Sequence, residues 1–206
     1  MSAAKSFQFD PERVAHAEAS GWRAYYDHNW IKMLWLIVSL CGQQFHIPFP
    51  LSLLAAYYIV RASAGWVAVD HNSQAILTLH EKFYRIAQRS SGLHFDPAQV
   101  ARLEEQYWDV HRQLSGQPDK TEFVQTMIAL HSAAFGITSQ QARDSAELRV
   151  QANNIVDGIT SKQSTDPQAD WAKLEELLRQ CYRSIQRQLN QSTSAEAVLA
   201  VRSSSV

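Results

Sequence analysis

The hydrophobic and polar positions of this chain read as helix throughout. Val14, Glu18, Trp22 and Tyr25 stand at i, i+4, i+8 and i+11, and Val100, Glu104, Trp108 and His111 repeat that spacing. Each set therefore shares one helix face. Prolines fall at boundaries. Asp-Pro occurs at 10–11, 96–97 and 166–167, where Asp serves as an N-cap and Pro suits the first helical position because no N–H is needed there. The pattern predicts six main helices. The first runs from Pro11 to about Gln44 and stops before Pro48. The second runs from near Pro50 to about Arg89, with a bend at Gly65 or at Asp70-His71-Asn72. The third spans Pro97 to about Leu114, and the fourth follows Asp119 and ends at Gly136. The fifth covers about Ser139 to Asp157, and the sixth Pro167 to about Asn190. Residues 192–206 read as a flexible C-terminal tail.

The first of these helices recurs. FDPERVAHAEASGW at 9–22 matches FDPAQVARLEEQYW at 95–108 without a gap. Weaker matches follow in the same order: Arg61-Ala-Ser-Ala with Arg143-Asp-Ser-Ala, and LHEKFYRIAQR at 79–89 with LLRQCYRSIQR at 177–187. These blocks predict two related three-helix halves, about 9–91 and 95–190, around a pseudo-two-fold axis. Each half alone would expose an apolar face, so residues 1–191 form one domain.

The duplication places Glu18 and Glu104 between Val and Trp on a stripe that should be partly buried. A buried carboxylate needs a partner or a proton. In a structural reading the glutamates meet Arg61, Arg143, Arg85 or Arg183, with Tyr and Trp donors nearby, because a guanidinium fork fits a carboxylate. In a catalytic reading they bind metal with His111, supported by His46, Asp70, His71, His80, Asp144 or Glu147. Helical bundles build di-iron centres from inward Glu and His, but the Glu-x-x-His signature is missing. The structural reading is preferred, and no metal or other cofactor is expected. If a metal is present, Glu18, Glu104 and His111 are its ligands. His28, His94 and His131 read as ordinary surface or core histidines.

Charge narrows the field. Lys+Arg is 19, Asp+Glu is 20 and the net charge is −1, so no basic field draws nucleic acid. The apolar run at 33–42 is too short for a spanning helix, which needs about 20 residues. Cys41 and Cys181 read as core thiols of a cytoplasmic protein. Nucleotide loops, HExxH and G-x-S-x-G are all missing. Trp30 to Val38 could instead face a dimer or lipid surface.

FDPxxVAxxExxxW, followed by GWRAYY around the first copy and YWDVHR around the second, resembles a family of bacterial helical proteins of unknown function. Its architecture is also similar, more distantly, to the haem oxygenase-like fold, which hosts haem enzymes, di-iron oxidases and thiamin-degrading enzymes. That likeness implies a fold and no activity.

The sequence thus points to an all-α protein that binds a partner or small ligand without catalysis. Glu18, Trp22, Tyr25, Glu104, Trp108, His111, Arg61 and Arg143 are the candidate polar cluster. A metal-dependent oxidase and a peripheral membrane protein are the alternatives. A homodimer or protein partner would use the apolar region 30–60.

Overall fold

The computed structural model describes the backbone of residues 7–203 and the side chains of residues 7–191. Among these residues eight helices follow one another and no strand occurs: α1 (Pro11–Tyr26), α2 (Trp30–Phe45), α3 (Leu51–Trp66), α4 (Ser73–Ser91), α5 (Pro97–Leu114), α6 (Thr121–Phe135), α7 (Ser139–Thr160) and α8 (Pro167–Ser203). The protein is all-α, as the periodicity implies.

The number of helices is eight rather than six, because two of the long helices expected from the sequence are each divided. The first breaks at residues 27–29. His28 takes a left-handed backbone (φ 52°), and Asn29 caps the next helix by accepting from the Lys32 N–H at 3.1 Å. The second does more than bend. α3 stops at Trp66, and Asn72 starts α4 by accepting from the Ala75 N–H at 3.0 Å. Apolar spacing ran on across both sites, but a short polar side chain that satisfies a free backbone N–H ends one helix and begins another. The Asp-Pro starts form as expected: Asp10 accepts from the Glu12 N–H and Asp96 from the Ala98 N–H. A reciprocal capping box forms at Thr138 and Gln141.

Each helix packs on the next in sequence, and α8 returns to pack on α1. Linkers of three to six residues join the helices, so neighbours run antiparallel and the chain closes into an eight-helix ring. Alanines at the contacts, among them Ala15, Ala55, Ala56, Ala87, Ala101, Ala142, Ala146 and Ala152, are fully buried. They let helix axes come close. Phe123, Met127, Leu174, Leu178 and Ile185 fill the space between helices with less than 2% of their surface exposed. Such burial is worth about 1.5–3 kcal/mol for each large apolar side chain. The segment before α1 is tied to α8, where Gln186 accepts from the Phe9 N–H at 2.9 Å. On the outer surface, Glu12 of α1 meets Arg179 and Arg183 of α8. This network is exposed and adds little to stability. No helix among the described residues is long and apolar enough to cross a membrane.

Candidate functional site

The ring surrounds a partly open cavity of about 220 Å³ lined by side chains from all eight helices. Most of its wall is aromatic or aliphatic, including Trp22, Tyr25, Tyr26, Trp66, Trp108, Met33, Ile37 and Met127. Three lining side chains belong to Asp, Glu, Lys or Arg: Glu18, Glu104 and Arg149.

Glu18 projects from the middle of α1 and is 7% exposed. Arg149 on α7 reaches it with both terminal nitrogens, Nη2 to Oε1 at 2.5 Å and Nη1 to Oε2 at 2.8 Å. The Tyr182 hydroxyl donates to Oε2 at 2.5 Å, and Arg149 Nη1 also donates to that hydroxyl at 3.3 Å. The guanidinium lies over the Trp22 ring at 5.0 Å. A two-pronged guanidinium–carboxylate contact is the geometry that offsets the cost of removing both charges from water. The backbone carbonyl of Arg149 accepts from Asn153 Nδ2 at 2.9 Å, and Asn153 Oδ1 accepts from the Tyr107 hydroxyl at 3.1 Å. The pair is thus braced from α5 as well.

Glu104 occupies the same place on α5, but its partners are neutral. Tyr84 donates to Oε2 and Trp108 Nε1 donates to Oε1, both at 2.9 Å. Among the described residues no Lys, Arg or His side chain bonds to it. Glu104 keeps some accessible surface as part of the cavity wall. Burial raises its carboxyl above the ordinary range, and the Arg149 charge only partly offsets this. The same burial raises the Tyr84 hydroxyl.

The histidines divide into distinct roles. His111 Nε2 lies 2.8 Å from Asp157 Oδ1, with its ring stacked on Phe123. His131 Nδ1 lies 2.8 Å from Ser145 Oγ, which itself donates to the Ala142 carbonyl. Ser145 must therefore accept, so Nδ1 carries the proton and Nε2 is the basic nitrogen. Burial lowers the His131 pKa to about 3. His80, fully buried with its ring 4.6 Å from Trp108, has no hydrogen-bond partner on either nitrogen, and burial lowers it to about 3. At the end where α3 stops, Trp66 is held by Asp109, which accepts from Nε1 at 3.2 Å, and by Arg112, stacked 3.3 Å above the ring. Burial pushes the Cys41 thiol up to about 12, so it is not a nucleophile at neutral pH.

No protein family, curated protein or solved structure matches this chain. The site must therefore be read from its own chemistry.

Of the residues singled out in the sequence, Glu18, Trp22, Tyr25, Glu104, Trp108 and His111 all line the cavity. Arg61 and Arg143 do not. Both are exposed, and Arg143 faces Glu147 on its own helix at 3.9 Å. Arg85 pairs with Glu81 and Arg183 with Glu12, again outside the ring. The guanidinium that reaches Glu18 is that of Arg149. Of the proposed metal ligands, Glu18, Glu104 and His111 are each held by different partners. His46, Asp70, Asp144 and Glu147 are exposed. Among the described residues no group of three His, Cys, Asp or Glu side chains could hold a metal ion.

Sequence reasoning missed Arg149, Tyr107, Asn153, Tyr84, Tyr182 and Asp157, and it read His131 as ordinary. Two signals were available. Tyr84 and Tyr182 occupy matching places in the similar 79–89 and 177–187 segments. Arg149 lies on the stripe Ala142, Ala146, Asn153, at i+7 from Ala142, which marks the inner face of α7.

Proposed function

We propose that this chain is a non-enzymatic small-ligand-binding protein of two related four-helix halves, with its ligand in the central cavity. One observation carries the reading: a partly open cavity of about 220 Å³ with an aromatic wall and a braced Glu18–Arg149–Tyr182 cluster beside Glu104. Protein cores leave few voids larger than a water. Small residues at Ser63 and Gly21 on its wall leave this space unfilled, which is consistent with an occupant. The volume lies below the roughly 300–1,000 Å³ of drug-sized sites, so the occupant is small.

The halves are α1–α4 and α5–α8. Tyr182 of the last helix binds Glu18 of the first half, and Tyr84 of the fourth helix binds Glu104 of the second. In α3 the buried set is Ser52, Ala55, Ala56, Ala62 and Ser63. In α7, Ala142, Ser145, Ala146, Ala152 and Asn153 are buried, each 90 positions further on. His46 and Gly136, at the same separation, both end their helices in left-handed backbone. This register pairs Ile59 with Arg149, so the second glutamate has no arginine of its own. A cytoplasmic location belongs to the same proposal, in keeping with the two free buried thiols.

To test the reading, small aromatic and aliphatic compounds are titrated into the wild type and a Ser63→Phe variant. The variant should fold and lose binding; equal binding by both would place the ligand elsewhere.

A second observation favours a further role. The exposed large apolar side chains of the described residues all lie between residues 31 and 69, with Ile31 75%, Trp35 57% and Phe49 69% exposed. This α2–α3 face would dock a protein, in the first instance a second copy of the chain. Sedimentation velocity at rising concentration checks it. A monomer throughout, or flotation with lipid vesicles, would count against it.

A further inference from the structure

We infer that the occupant of the cavity is a primary amine, bound as its ammonium ion with Glu104 as counter-ion. The inference rests on the ligand-binding reading above and names the ligand class. Its basis is a charge imbalance. The cavity wall carries two carboxylates and one guanidinium. Both terminal nitrogens of Arg149 are bonded to Glu18, and one also to Tyr182. Its third nitrogen, Nε, is unpartnered but has no accessible surface. The guanidinium charge is thus matched by Glu18, which leaves an anionic ligand at most one free N–H of Nη2 and no net positive charge. With Glu18 already neutralised, the charge left over belongs to Glu104.

The two hydrogen bonds to Glu104 fit an acceptor of cations. Trp108 Nε1 can only donate, and Tyr84 supplies the other donor, one to each oxygen. A carboxylate has about four lone-pair sites, so at least one on each oxygen stays open for N–H donors. A primary ammonium brings three such donors and the missing positive charge. The remaining wall suits it, because Trp22, Tyr25, Trp66 and Trp108 present aromatic rings to the same space. A cation beside aromatic faces gains further electrostatic attraction. A quaternary ammonium would leave the open lone pairs unmet.

A proton competes for the same place. Tyr84, Tyr107, Glu18 and Arg149 act on Glu104 directly, His80 lies against its partner Trp108, and Tyr25 and Tyr26 on α1, Cys41 on α2, His111 on α5, His131 on α6 and Tyr182 on α8 share the cavity wall. Burial keeps His80 and His131 uncharged near neutral pH, and Arg149 is matched by Glu18. His111 faces Asp157 at 2.8 Å, so any charge on it is matched there, and none of these groups supplies a cation to Glu104. At low pH the raised Glu104 carboxyl holds its own proton, and an ammonium ion must displace it.

Calorimetric titration of the full chain tests this with three probes of one shape: benzylamine, benzyl alcohol and benzoate. At about pH 8 the amine is protonated, since alkyl ammonium groups titrate near pH 10. Benzylamine should bind about tenfold or more tightly than benzyl alcohol, as a charged hydrogen bond exceeds a neutral one. Glu104→Gln should bring the two affinities together by weakening the amine far more than the alcohol. If that variant does not fold, the wild type still decides the matter. In buffers of different ionisation enthalpy, benzylamine binding at lower pH should release a proton and benzyl alcohol binding should not. Equal affinity for amine and alcohol, tightest binding of benzoate, or amine binding without proton release overturns the inference while leaving the cavity a ligand site. Binding of none of the three removes the ligand reading as well.

Discussion

At the scale of single residues, Glu18 and Glu104 show how one side chain at repeated positions meets different chemistry. Glu18 is paired with Arg149, with 9% and 12% of the two side chains exposed. Glu18→Ala strands a buried guanidinium and should cost about 3–5 kcal/mol. Removing Arg149 as well should recover part of that loss in a double-mutant cycle. Chemical denaturation reads both, and a loss under about 1 kcal/mol would mean the pair is solvated. Glu104 has a folded pKa raised by burial. The folded state then holds the proton more tightly than the unfolded chain. The contribution to stability is full below the ordinary glutamate range and is lost as pH rises through the folded pKa. Glu104→Gln should therefore gain on the wild type as pH rises from about 4 to 8, measured by urea unfolding at several pH values. A difference that does not change with pH would show Glu104 in water. His80 and His131 act in the other direction in both proteins, losing stability as pH falls below about 6.5, so only the difference isolates Glu104. The inward stripe of α1 and α5 was legible in the sequence because it is local. The partner of Glu18 was not, since Arg149 lies 131 positions away. The repeated Arg61 and Arg143 drew attention to residues on the outer surface.

At the scale of helices, the course of the chain was legible wherever Pro or Gly marks a boundary. The starts at Pro11, Pro97, Ser139 and Pro167 and the stop before Gly136 fall where the sequence places them. The two missed breaks depend on Asn29 and Asn72, side chains that turn a polar spot in an apolar run into a cap. Periodicity alone cannot separate a polar residue facing water within a helix from one that ends it. Asn29→Ala should cost about 1 kcal/mol and leave the neighbouring helices in place, as followed by thermal unfolding and far-ultraviolet circular dichroism. No loss would mean that α1 and α2 join without help from this cap. Matching Arg61 to Arg143 implied a shift of 82 positions, whereas the buried positions of α3 and α7 correspond at a shift of 90, a correspondence that a gapless comparison of the whole chain does not bring out.

At the scale of the whole molecule, closure of the ring makes the site. Glu18, Glu104 and Arg149 sit on helices that are not consecutive, and only the return of α8 onto α1 brings Tyr182 to Glu18. Long-range contacts of this kind leave no mark in local spacing, which is why the sequence suggested a polar cluster but no cavity. The central claim is that the interior of the ring holds a small molecule, and the six tryptophans offer a direct test. Trp22, Trp66 and Trp108 line the cavity, whereas Trp30, Trp35 and Trp171 do not. Proton–nitrogen NMR of the indole N–H groups during a benzylamine titration follows all six at once. The account predicts saturable shifts at the three lining indoles with the other three unmoved; shifts confined to Trp35, or none at saturating amine, would contradict it.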